Sequence, residues 1–353
     1  MSKILFVYAS YGNGHKLAAE SIKDFFSAEC VDILDYIPSW LKRFSVWTYH
    51  FVSGPASFIW RIMFMLSNTF IGAKFVKFIE YLLFWRFRRY LQETNPDIII
   101  TTHFTPPSVI ASIKRQKSFK LIMYVTDMIA HRLWYSKSVD LYFALTDKAK
   151  DDLVKFGARP DKIHVGYASV RSGFLVRYDK SVLKAKWSLD DKPCLLFMAS
   201  NLGRFPFLRR VLSDYSDKFN FFIIYGRNLK LKAYLEQTSK ANVIALPFYS
   251  DIWELMYICD IMITKPGGMT VTEGCFLKKK FVFTTFIPGQ EEGNINILEQ
   301  AGVGKRVGTY NELKKYLDDL MTDICTCNYP IHFEDIRLKL RGIIDDLSVC
   351  RRS

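Results

Sequence analysis

Short, continuous apolar runs, each followed by a polar turn and a helical pattern, recur along the chain in two series and constrain its fold more than any other feature. The first series comprises Ile4–Ala9, Val31–Leu34, Asp97–Thr101, Lys120–Val125, Asp140–Ala144 and Ile163–Gly166. The second comprises Cys194–Met198, Asn220–Tyr225, Asn242–Leu246, Ile261–Thr264 and Lys280–Thr284. Such runs are typical of strands buried in a parallel sheet, and their alternation with helices predicts doubly wound α/β units.

The length of the chain predicts two such units. Its 353 residues exceed the ~250–300 that a single hydrophobic core organises. We expect an N-terminal domain over residues 1–177 and a C-terminal domain over 178–353, with the last helix a candidate to pack back on the N-terminal domain. Ligands of these folds bind at the carboxyl ends of the strands. The sequence therefore predicts two Rossmann-like domains facing each other across a cleft that holds the active site.

The turn after the first strand, Ser10–His15, contains two glycines and ends in a histidine. Gly12 and Gly14 permit a tight turn and a close approach of the backbone to a ligand. The amides at the start of the following helix favour negative charge. His15 is suited to take a proton from an acceptor hydroxyl near neutral pH, although capping of the helix is an alternative explanation.

The segment Ile261–Cys275 carries the strongest functional signal in the chain. A buried strand is followed by Pro266-Gly267-Gly268, which forces a turn, and a helix is predicted to start near Met269 or Thr270. Amides and hydroxyls at a helix start can bind a diphosphate. Glu273, one turn further on, is placed to accept hydrogen bonds from ribose hydroxyls, and Lys265 can add positive charge.

The next predicted strand is followed by a second polar turn, Ile287–Asn294. Gln290 and Glu291 offer an amide and a carboxylate that suit the hydroxyls of a sugar. Either turn alone also fits an ordinary connection between strand and helix. Their position after successive strands favours a shared binding site.

Residues 40–90 form a basic, aromatic insertion. They hold 16 of the 55 aromatic residues and eight Lys or Arg against one acidic residue, in a chain of net charge +14. This mixture is typical of helices that lie in a membrane interface with anionic lipid, and the candidate contact residues are Trp60, Trp85, Arg86, Arg88 and Arg89. Helices packed on the core with a solvated basic face are the alternative. Single-stranded nucleic acid is disfavoured because RNA- or DNA-binding motifs are missing.

Three negative features bear on location. No stretch approaches the ~18 apolar residues that a membrane span needs, so membrane contact is expected to be peripheral. Seven scattered cysteines, an odd number without a framework, favour a reducing compartment. Cys325 and Cys327 lack a second ligand pair, so no zinc site is expected. The start of the chain shows no signal-peptide pattern.

Several motifs, in a shared order, resemble those of the family-28 glycosyltransferases, above all monogalactosyldiacylglycerol synthases and bacterial processive diacylglycerol glucosyltransferases. They are G-N-G-H at 12–15, the strand that ends in His103, Val125-Thr126-Asp127 followed by His131 and Trp134, Gly226-Arg227-Asn228, T-K-P-G-G-M-T-V-T-E at 264–273, and I-P-G-Q-E-E-G-N at 287–294. The resemblance covers nearly the whole chain.

The resemblance implies a GT-B fold and an inverting transfer of glucose or galactose from its UDP-sugar to diacylglycerol or a glycosyl-diacylglycerol, at the cytoplasmic face of a membrane. It implies His15 as the acceptor-side base and Asp127 as a second catalytic candidate, with His103, His131 and Trp134 on the acceptor side. The residues assigned to the UDP-sugar are Gly12, Gly14, Gly226, Arg227, Lys265, Gly267, Gly268, Thr270, Glu273, Gln290, Glu291 and Asn294. The partners expected are the UDP-sugar, diacylglycerol and anionic membrane lipids, and not nucleic acid.

Cofactors and rival functions complete the expectations. The sequence has no D-x-D triplet of the kind that holds a metal in GT-A enzymes, so we expect neither a cofactor nor a metal requirement. One alternative function is a UDP-GlcNAc-dependent transferase acting on a polyprenyl-linked peptidoglycan precursor. Another is a catalytically silent, membrane-bound UDP-sugar-binding protein. The sequence does not distinguish glucose from galactose.

Overall fold

The computed structural model describes residues 2–26, 28–114, 117–198, 205–238, 240–322 and 328–350, with backbone alone for 347–350. Residues 199–204 and the pair Cys325 and Cys327 lie outside the described residues. Contacts divide the chain into two compact units. Unit 1 comprises Met1–Arg171, Ile287–Gly293 and Ile331–Ser353, and unit 2 comprises Ser172–Phe286 and Asn294–Pro330.

Fourteen strands are present in the part of the chain that the structure describes. They are β1 (Ile4–Tyr8), β2 (Glu29–Asp32), β3 (Ile98–Thr101), β4 (Lys120–Tyr124), β5 (Leu141–Ala144), β6 (Ile163–Val165), β7 (Tyr167–Ala168), β8 (Cys194–Met198), β9 (Asn220–Ile224), β10 (Val243–Leu246), β11 (Ile261–Thr264), β12 (Lys280–Phe283), β13 (Gly304–Arg306) and β14 (Glu334–Asp335). Most of the residues in β1, β3–β5, β8, β9, β11 and β12 are buried, as expected for parallel strands covered on both faces.

The strands are connected by fifteen described α-helices. They are α1 (Asn13–Lys23), α2 (Ser39–Ser53), α3 (Ser57–Ser67), α4 (Phe70–Leu83), α5 (Trp85–Thr94), α6 (Pro106–Lys114), α7 (Asp147–Phe156), α8 (Lys180–Lys186), α9 (Leu208–Asp214), α10 (Leu229–Thr238), α11 (Ile252–Ile258), α12 (Gly268–Phe276), α13 (Glu292–Gln300), α14 (Tyr310–Thr322) and α15 (Ile336–Cys350).

Unit 1 is built on a six-stranded parallel sheet of order β2-β1-β3-β4-β5-β6. The strand order reverses between β1 and β3, which is the point where ligands bind in doubly wound folds. Val7 of β1 pairs with Thr101 of β3, so the turns that follow these two strands are neighbours. A small parallel ladder, β7 with β14, also belongs to this unit.

Unit 2 is built on a second six-stranded parallel sheet, of order β10-β9-β8-β11-β12-β13. Here the order reverses between β8 and β11. Thr264, the last residue of β11, pairs with Met198 at the end of β8. The turn Lys265–Gly268 therefore starts at the switch point of its own sheet, just as the Ser10–His15 turn does in unit 1.

The helical insertion α2–α5 is exposed to an unusual degree. Residues 40–85 supply 18 of the 27 large apolar side chains that are exposed among the described residues, so apolar exposure is concentrated here rather than scattered. No residue of α3 is buried. Helix α5 differs, because Phe87 and Leu91 are buried in the unit 1 core.

No single helix among the described residues has the length and hydropathy of a membrane span. One pair, α3 with α4, meets both requirements jointly, but the two helices are bent by 100° at the break between them.

The fold class predicted from the sequence is confirmed: the chain contains two Rossmann-like, doubly wound α/β units. The contact boundary falls at residues 171 and 172 rather than at 177, and the segment Ile287–Gly293 is grouped with unit 1, a grouping that the sequence did not predict. The predicted second strand is displaced as well. It runs over Glu29–Asp32, because the Asp32 carboxylate accepts the Leu34 amide and starts a 3₁₀ turn there.

Candidate active site

The switch point of unit 1 brings two predicted site residues, His15 and His103, together. Helix α1 begins at Asn13, so His15 lies in its first turn rather than before it. His103 follows β3 in the neighbouring turn. The imidazole rings meet edge to face, with their centroids 4.5 Å apart. The N-terminal cap Gly12 has extended backbone (φ −146°) and no side chain caps the helix, so capping by His15 is wrong.

The tautomer of His15 is fixed by its surroundings. Its Nδ1 lies 2.6 Å from the carbonyl oxygen of Thr102, which can only accept, so Nδ1 carries the proton and donates. The hydroxyl of Thr102 donates in turn to the His15 carbonyl at 2.7 Å. Nε2 is left with the lone pair and has no hydrogen-bond partner within the described ranges. His15 is thus prepared to accept a proton at Nε2.

His103 has the opposite tautomer and is fully enclosed. Its Nδ1 accepts the backbone N–H of Thr105 at 3.1 Å, which leaves the proton on Nε2. The ring stacks on Phe104 with centroids 4.1 Å apart. The two histidines therefore have fixed and different roles: one ring nitrogen accepts a proton, and its neighbour can only donate.

A chain of aromatic rings leads from these histidines to the helical insertion, and the sequence prediction missed it. Tyr11 lies 5.8 Å from His103 and 5.6 Å from Tyr49 of α2, and Tyr49 lies 5.3 Å from Trp60 of α3, measured between ring centroids. The rings come from one turn and two helices that are separate in sequence, so no periodic pattern predicts that they pack together. Only the position of Tyr11 inside the glycine turn could have signalled it.

Asp127 lies just beyond β4, next to β3 in the sheet, and is partly exposed. The preceding residue, Thr126, places its hydroxyl 3.2 Å from Nδ1 of His15. Burial raises the pKa of Tyr49, and the charges of Glu291 and Asp127 raise it further. Two carboxylates therefore lie close enough to Tyr49 of the aromatic chain to act on its hydroxyl.

His131 and Trp134 have structural partners. His131 accepts the Leu133 amide at Nδ1 (3.2 Å) and donates from Nε2 to the carbonyl of Phe64 on α3 (2.9 Å). It thus connects the loop after β4 to the insertion. Trp134 is buried, and its ring lies 6.2 Å from that of His15, where it forms one wall of the site.

Burial lowers the pKa of all three histidines in this region. The pKa falls to about 4 for His15, where the Thr102 hydrogen bond opposes the shift, and to about 4 for His131. It falls well below its usual value for His103, where the neighbouring His15 adds to the effect of burial. All three rings are therefore neutral at physiological pH. Glu80, buried on α4 and hydrogen-bonded to Ser108, has its pKa raised to about 7 by burial.

These shifts predict acid sensitivity of unit 1. Below pH 6.5 the unfolded chain binds protons that the folded histidines exclude, so each ring lowers the free energy of unfolding by up to ~1.4 kcal/mol per pH unit on the way to its folded pKa. Glu80 has the opposite effect: between pH 7 and 4.5 it binds a proton in the folded chain only, so acidification through this range raises the free energy of unfolding. This gain offsets the loss from about one histidine. We expect a net loss of stability between pH 6.5 and 5, measured by urea unfolding, and a smaller loss in His131→Gln. Equal stability of the native chain at both pH values would contradict this.

The turn Lys265–Gly268 of unit 2 has the geometry of an anion site. Gly267 caps α12 with extended backbone, no side chain caps the helix, and its first turn has no acidic residue. Helix α12 starts one residue before the predicted position. Thr270 is partly exposed in this first turn, while Glu273 is buried a turn later.

The side chain of Asn294 stabilises the Lys265–Gly268 turn. Its side-chain amide donates to the carbonyl of Pro266 at 3.0 Å, and the residue is fully buried. Its amide nitrogen therefore stabilises the turn that starts α12, and contact of Asn294 with the sugar stays a prediction.

The G-R-N motif has a local structural explanation. Gly226 has φ +59°, a left-handed conformation that favours glycine. The Asn228 side chain accepts the Leu231 amide at 3.0 Å and so caps the next helix. Arg227 is exposed. Contact of Gly226 and Arg227 with a UDP-sugar stays a prediction.

The segment Ile287–Gly293 folds on itself. The buried Glu291 carboxylate accepts the amide of Ile287 at 2.7 Å, and the Glu292 carboxylate accepts that of Gly289 at 3.1 Å. Gln290 differs, because its side-chain oxygen is buried without a hydrogen-bond partner. A buried, unpaired acceptor costs about 1–3 kcal/mol, so Gln290 is the residue of this turn best placed to receive a ligand.

The predicted membrane residues separate into two groups. Trp85 is exposed, with Arg86 above its ring. Arg88 packs on Tyr81 at 3.9 Å, and Arg89 pairs with Glu93 at 2.8 Å. Trp60 is partly buried against Tyr49, and its indole N–H is buried without a partner. Trp60 therefore faces the aromatic chain rather than the outside.

The chain is similar to known proteins both in sequence and in fold. Residues 15–166 match the model of the monogalactosyldiacylglycerol (MGDG) synthase family. The chain is 28% identical to the processive diacylglycerol beta-glucosyltransferase of Bacillus pumilus, over 91% of this chain and 87% of that protein. It is 25% identical to the enzyme of that name from Bacillus subtilis, over 99% and 92%.

Two solved structures illustrate the shared fold. The UDP-GlcNAc 2-epimerase of Methanocaldococcus jannaschii aligns with a TM-score of 0.58 at 14% identity, covering 97% of this chain and 99% of that one. MurG of Acinetobacter baumannii aligns with a TM-score of 0.53 at 13% identity, covering 92% and 91%. The resemblance predicted from the sequence is confirmed: the chain has a GT-B-type fold, matches the monogalactosyldiacylglycerol synthase family over residues 15–166, and is similar along nearly its whole length to processive diacylglycerol beta-glucosyltransferases.

Proposed function

We propose that the chain is an inverting glycosyltransferase that moves a hexose from a UDP-sugar to diacylglycerol or glycosyl-diacylglycerol at the cytoplasmic face of a membrane, to which it binds peripherally. The observation that carries the proposal is the fixed tautomer of His15, whose Nε2 lone pair stands at the switch point of unit 1. The similarity to proteins named diacylglycerol beta-glucosyltransferase supports glucose as the sugar and diacylglycerol as the acceptor.

The reaction follows from this placement. Nε2 of His15 takes the proton of the acceptor hydroxyl while its oxygen attacks the anomeric carbon. The bond from that carbon to the UDP oxygen breaks, and the amides at the start of α12 stabilise the departing diphosphate. Attack opposite the leaving group inverts the anomeric centre, and an α-linked UDP-hexose then yields a β-glycoside. We propose that the residues above supply this chemistry without a metal.

The membrane supplies the acceptor in this proposal. Diacylglycerol is apolar apart from one hydroxyl and two esters, so it stays in the bilayer and the enzyme has to reach it there. The exposed apolar side chains of α2–α4, with Arg43, Arg61 and Lys74 exposed among them, match an anionic bilayer surface. The aromatic chain from Trp60 to His103 supports a route from that surface to His15.

A turnover assay tests the function. Vesicles of phosphatidylglycerol and diacylglycerol are incubated with UDP-glucose or UDP-galactose in the presence of EDTA, and the lipid products are separated. We expect glycosyl-diacylglycerol with a β linkage, and more of it from UDP-glucose. Transfer from UDP-GlcNAc to a polyprenyl-linked acceptor instead would support the peptidoglycan alternative. UDP binding without transfer from any of these donors would refute the enzyme.

Gly14→Ala separates ligand contact from folding. A Cβ at Gly14 would meet no atom within 4 Å, and the residue lies in the first turn of α1. Since Ala is more favourable than Gly in a helix by roughly 0.5–1 kcal/mol, the melting temperature should stay equal or rise. We expect transfer from UDP-glucose to fall roughly tenfold, an energy of ~1.4 kcal/mol, because the methyl group fills the space left for the ligand.

Gly342→Ala is the matched control. Gly342 also lies in a helix of unit 1, α15, and a Cβ there also meets no atom within 4 Å. We expect this variant to keep both stability and turnover. Full activity of Gly14→Ala would contradict the prediction that the Ser10–His15 turn contacts the ligand.

A further inference from the structure

Helix α3 has one inward face in an otherwise exposed helix. Trp60, Phe64 and Ser67 are partly buried, whereas Met63 and Met65 beside them are exposed. The spacing i, i+4, i+7 places these three side chains on the same side of a helix. The contacts of this inward face are all within unit 1.

Phe64 is the centre of the inward face. A Cβ built on Gly289 would lie 3.0 Å from Cδ1 and 3.4 Å from Cβ of Phe64, so the ring lies directly against the backbone of Gly289. The ring also contacts His131, with centroids 4.3 Å apart. The Phe64 carbonyl accepts the hydrogen bond from His131 Nε2. Phe64 is thus fixed by the loop after β4 and also lies against the Ile287–Gly293 segment.

A side chain at Gly289 would disturb both the local backbone and the Phe64 ring. Its φ of +82° lies in the left-handed region, and the Phe64 ring occupies the side where a Cβ would be. The next residue is Gln290, whose side-chain oxygen is buried and unpaired. The position of the Gln290 side chain is therefore set by a backbone that the Phe64 ring presses against.

We infer that Phe64 is a positioning residue for donor-sugar recognition: its ring holds the Gly289 backbone so that Gln290 presents its amide to the hexose of the UDP-sugar. This inference rests on the proposed function. Phe64 itself makes no contact with the sugar in this arrangement, and its effect passes through Gly289. The predicted signature is a loss of affinity for the hexose part of the donor with no loss for UDP.

The test measures binding without lipid or turnover. UDP and UDP-glucose are titrated calorimetrically into the native chain and into Phe64→Ala. We expect the dissociation constant of UDP-glucose to rise roughly tenfold, as for one lost hydrogen bond to a polar ligand, while that of UDP changes less than about twofold. Phe64→Leu, which keeps an apolar group against Gly289, should restore much of the difference and covers the case that the alanine variant fails to fold.

Two further variants sharpen the test. Met63→Ala changes the adjacent, outward-facing side chain of the same helix and should leave the ratio of the two dissociation constants unchanged. Gly289→Ala should raise the UDP-glucose constant as Phe64→Ala does, and the double variant should lose less than the sum of the two because both act through one contact.

The outcomes separate this inference from the function itself. If the native chain binds UDP-glucose and transfers glucose but Phe64→Ala and Phe64→Leu bind both ligands as the native chain does, Phe64 has no positioning role and only this inference is overturned. If the native chain binds no UDP-sugar, the proposed function fails first. An equal loss for UDP and UDP-glucose would also overturn the inference, because it would indicate general damage to the fold.

Discussion

His15→Ala should lower turnover of diacylglycerol by a factor of about 10²–10⁴, the usual contribution of a positioned general base, while the affinity for UDP stays near that of the native chain. In the proposed reaction His15 acts on the acceptor hydroxyl, and its partners are Thr102 and Thr126 in unit 1. UDP is proposed to bind at the start of α12, which the substitution does not touch. The measurement is kcat on vesicles beside calorimetric titration with UDP.

The control is His164→Ala. His164 is a half-buried histidine of the same unit, on the edge strand β6, stacked on Phe143. We expect it to keep full turnover. If His15→Ala is as active as this control, His15 is not the base. The pH dependence of the native enzyme gives a second readout: because burial holds the pKa of His15 at about 4, kcat/KM should not fall between pH 7 and 5.5 on account of this residue.

The strands and turns of this site could be predicted from the sequence because each depends on local pattern. Continuous apolar runs fix the strands, and glycines with polar residues after them fix the ligand turns. The reversal of strand order between β1 and β3 then brings the turns after these strands together, and the rings of His15 and His103 are neighbours there. In the same way, Pro266-Gly267-Gly268 predicted a turn followed by a helix, and the first amides of that helix are not capped by a side chain.

The missed features depend on contacts between distant parts of the chain. No local sequence pattern predicts that the Tyr49 and Trp60 rings belong to the aromatic chain that starts at His103. The same holds for the contact between the Phe64 ring and Gly289. The small β7–β14 ladder, which pairs Ala168 with Asp335, was also missed. Its strands have two residues each, too few to show the alternation of apolar and polar residues that marks a strand. The hydrogen bond from the Asn294 side chain to the Pro266 carbonyl joins residues 28 positions apart and likewise has no local sequence signal.

The exposed face of the insertion was predicted only as one of two alternatives, and the structure leaves most of its large apolar side chains exposed rather than packed on the core. A core-packed helix would bury its apolar stripe. Helix α3 buries none of its residues, and α4 buries Ala73 and Glu80 while Phe70, Ile71, Phe75 and Phe78 are exposed. Core packing describes α5 best, through Phe87 and Leu91, while α2 and α4 add partly buried contacts through Leu41, Val46 and Leu83.

The double variant Ile71→Asp with Phe75→Asp should reduce binding to phosphatidylglycerol vesicles by about 10²-fold or more, since burying one such side chain contributes roughly 1.5–3 kcal/mol. Ile71 and Phe75 are 80% and 65% exposed and lie one helical turn apart on α4, so neither supports the fold and both can enter the bilayer surface. Co-sedimentation measures the partition coefficient, and urea unfolding checks that the variant is folded.

Phe248→Asp provides the comparison, because Phe248 is 77% exposed but belongs to unit 2. This substitution should leave vesicle binding unchanged.

The double variant Ile71→Asp with Phe75→Asp should also lose transfer to diacylglycerol in vesicles. It should keep the native affinity for UDP in solution, since only access to the acceptor is removed. Raised salt should weaken the native binding further through Arg43, Arg61 and Lys74, whose attraction to anionic lipid is screened. If the double variant and Phe248→Asp sediment alike with vesicles, α4 is not the membrane-binding element, and the acceptor has to reach His15 by another route.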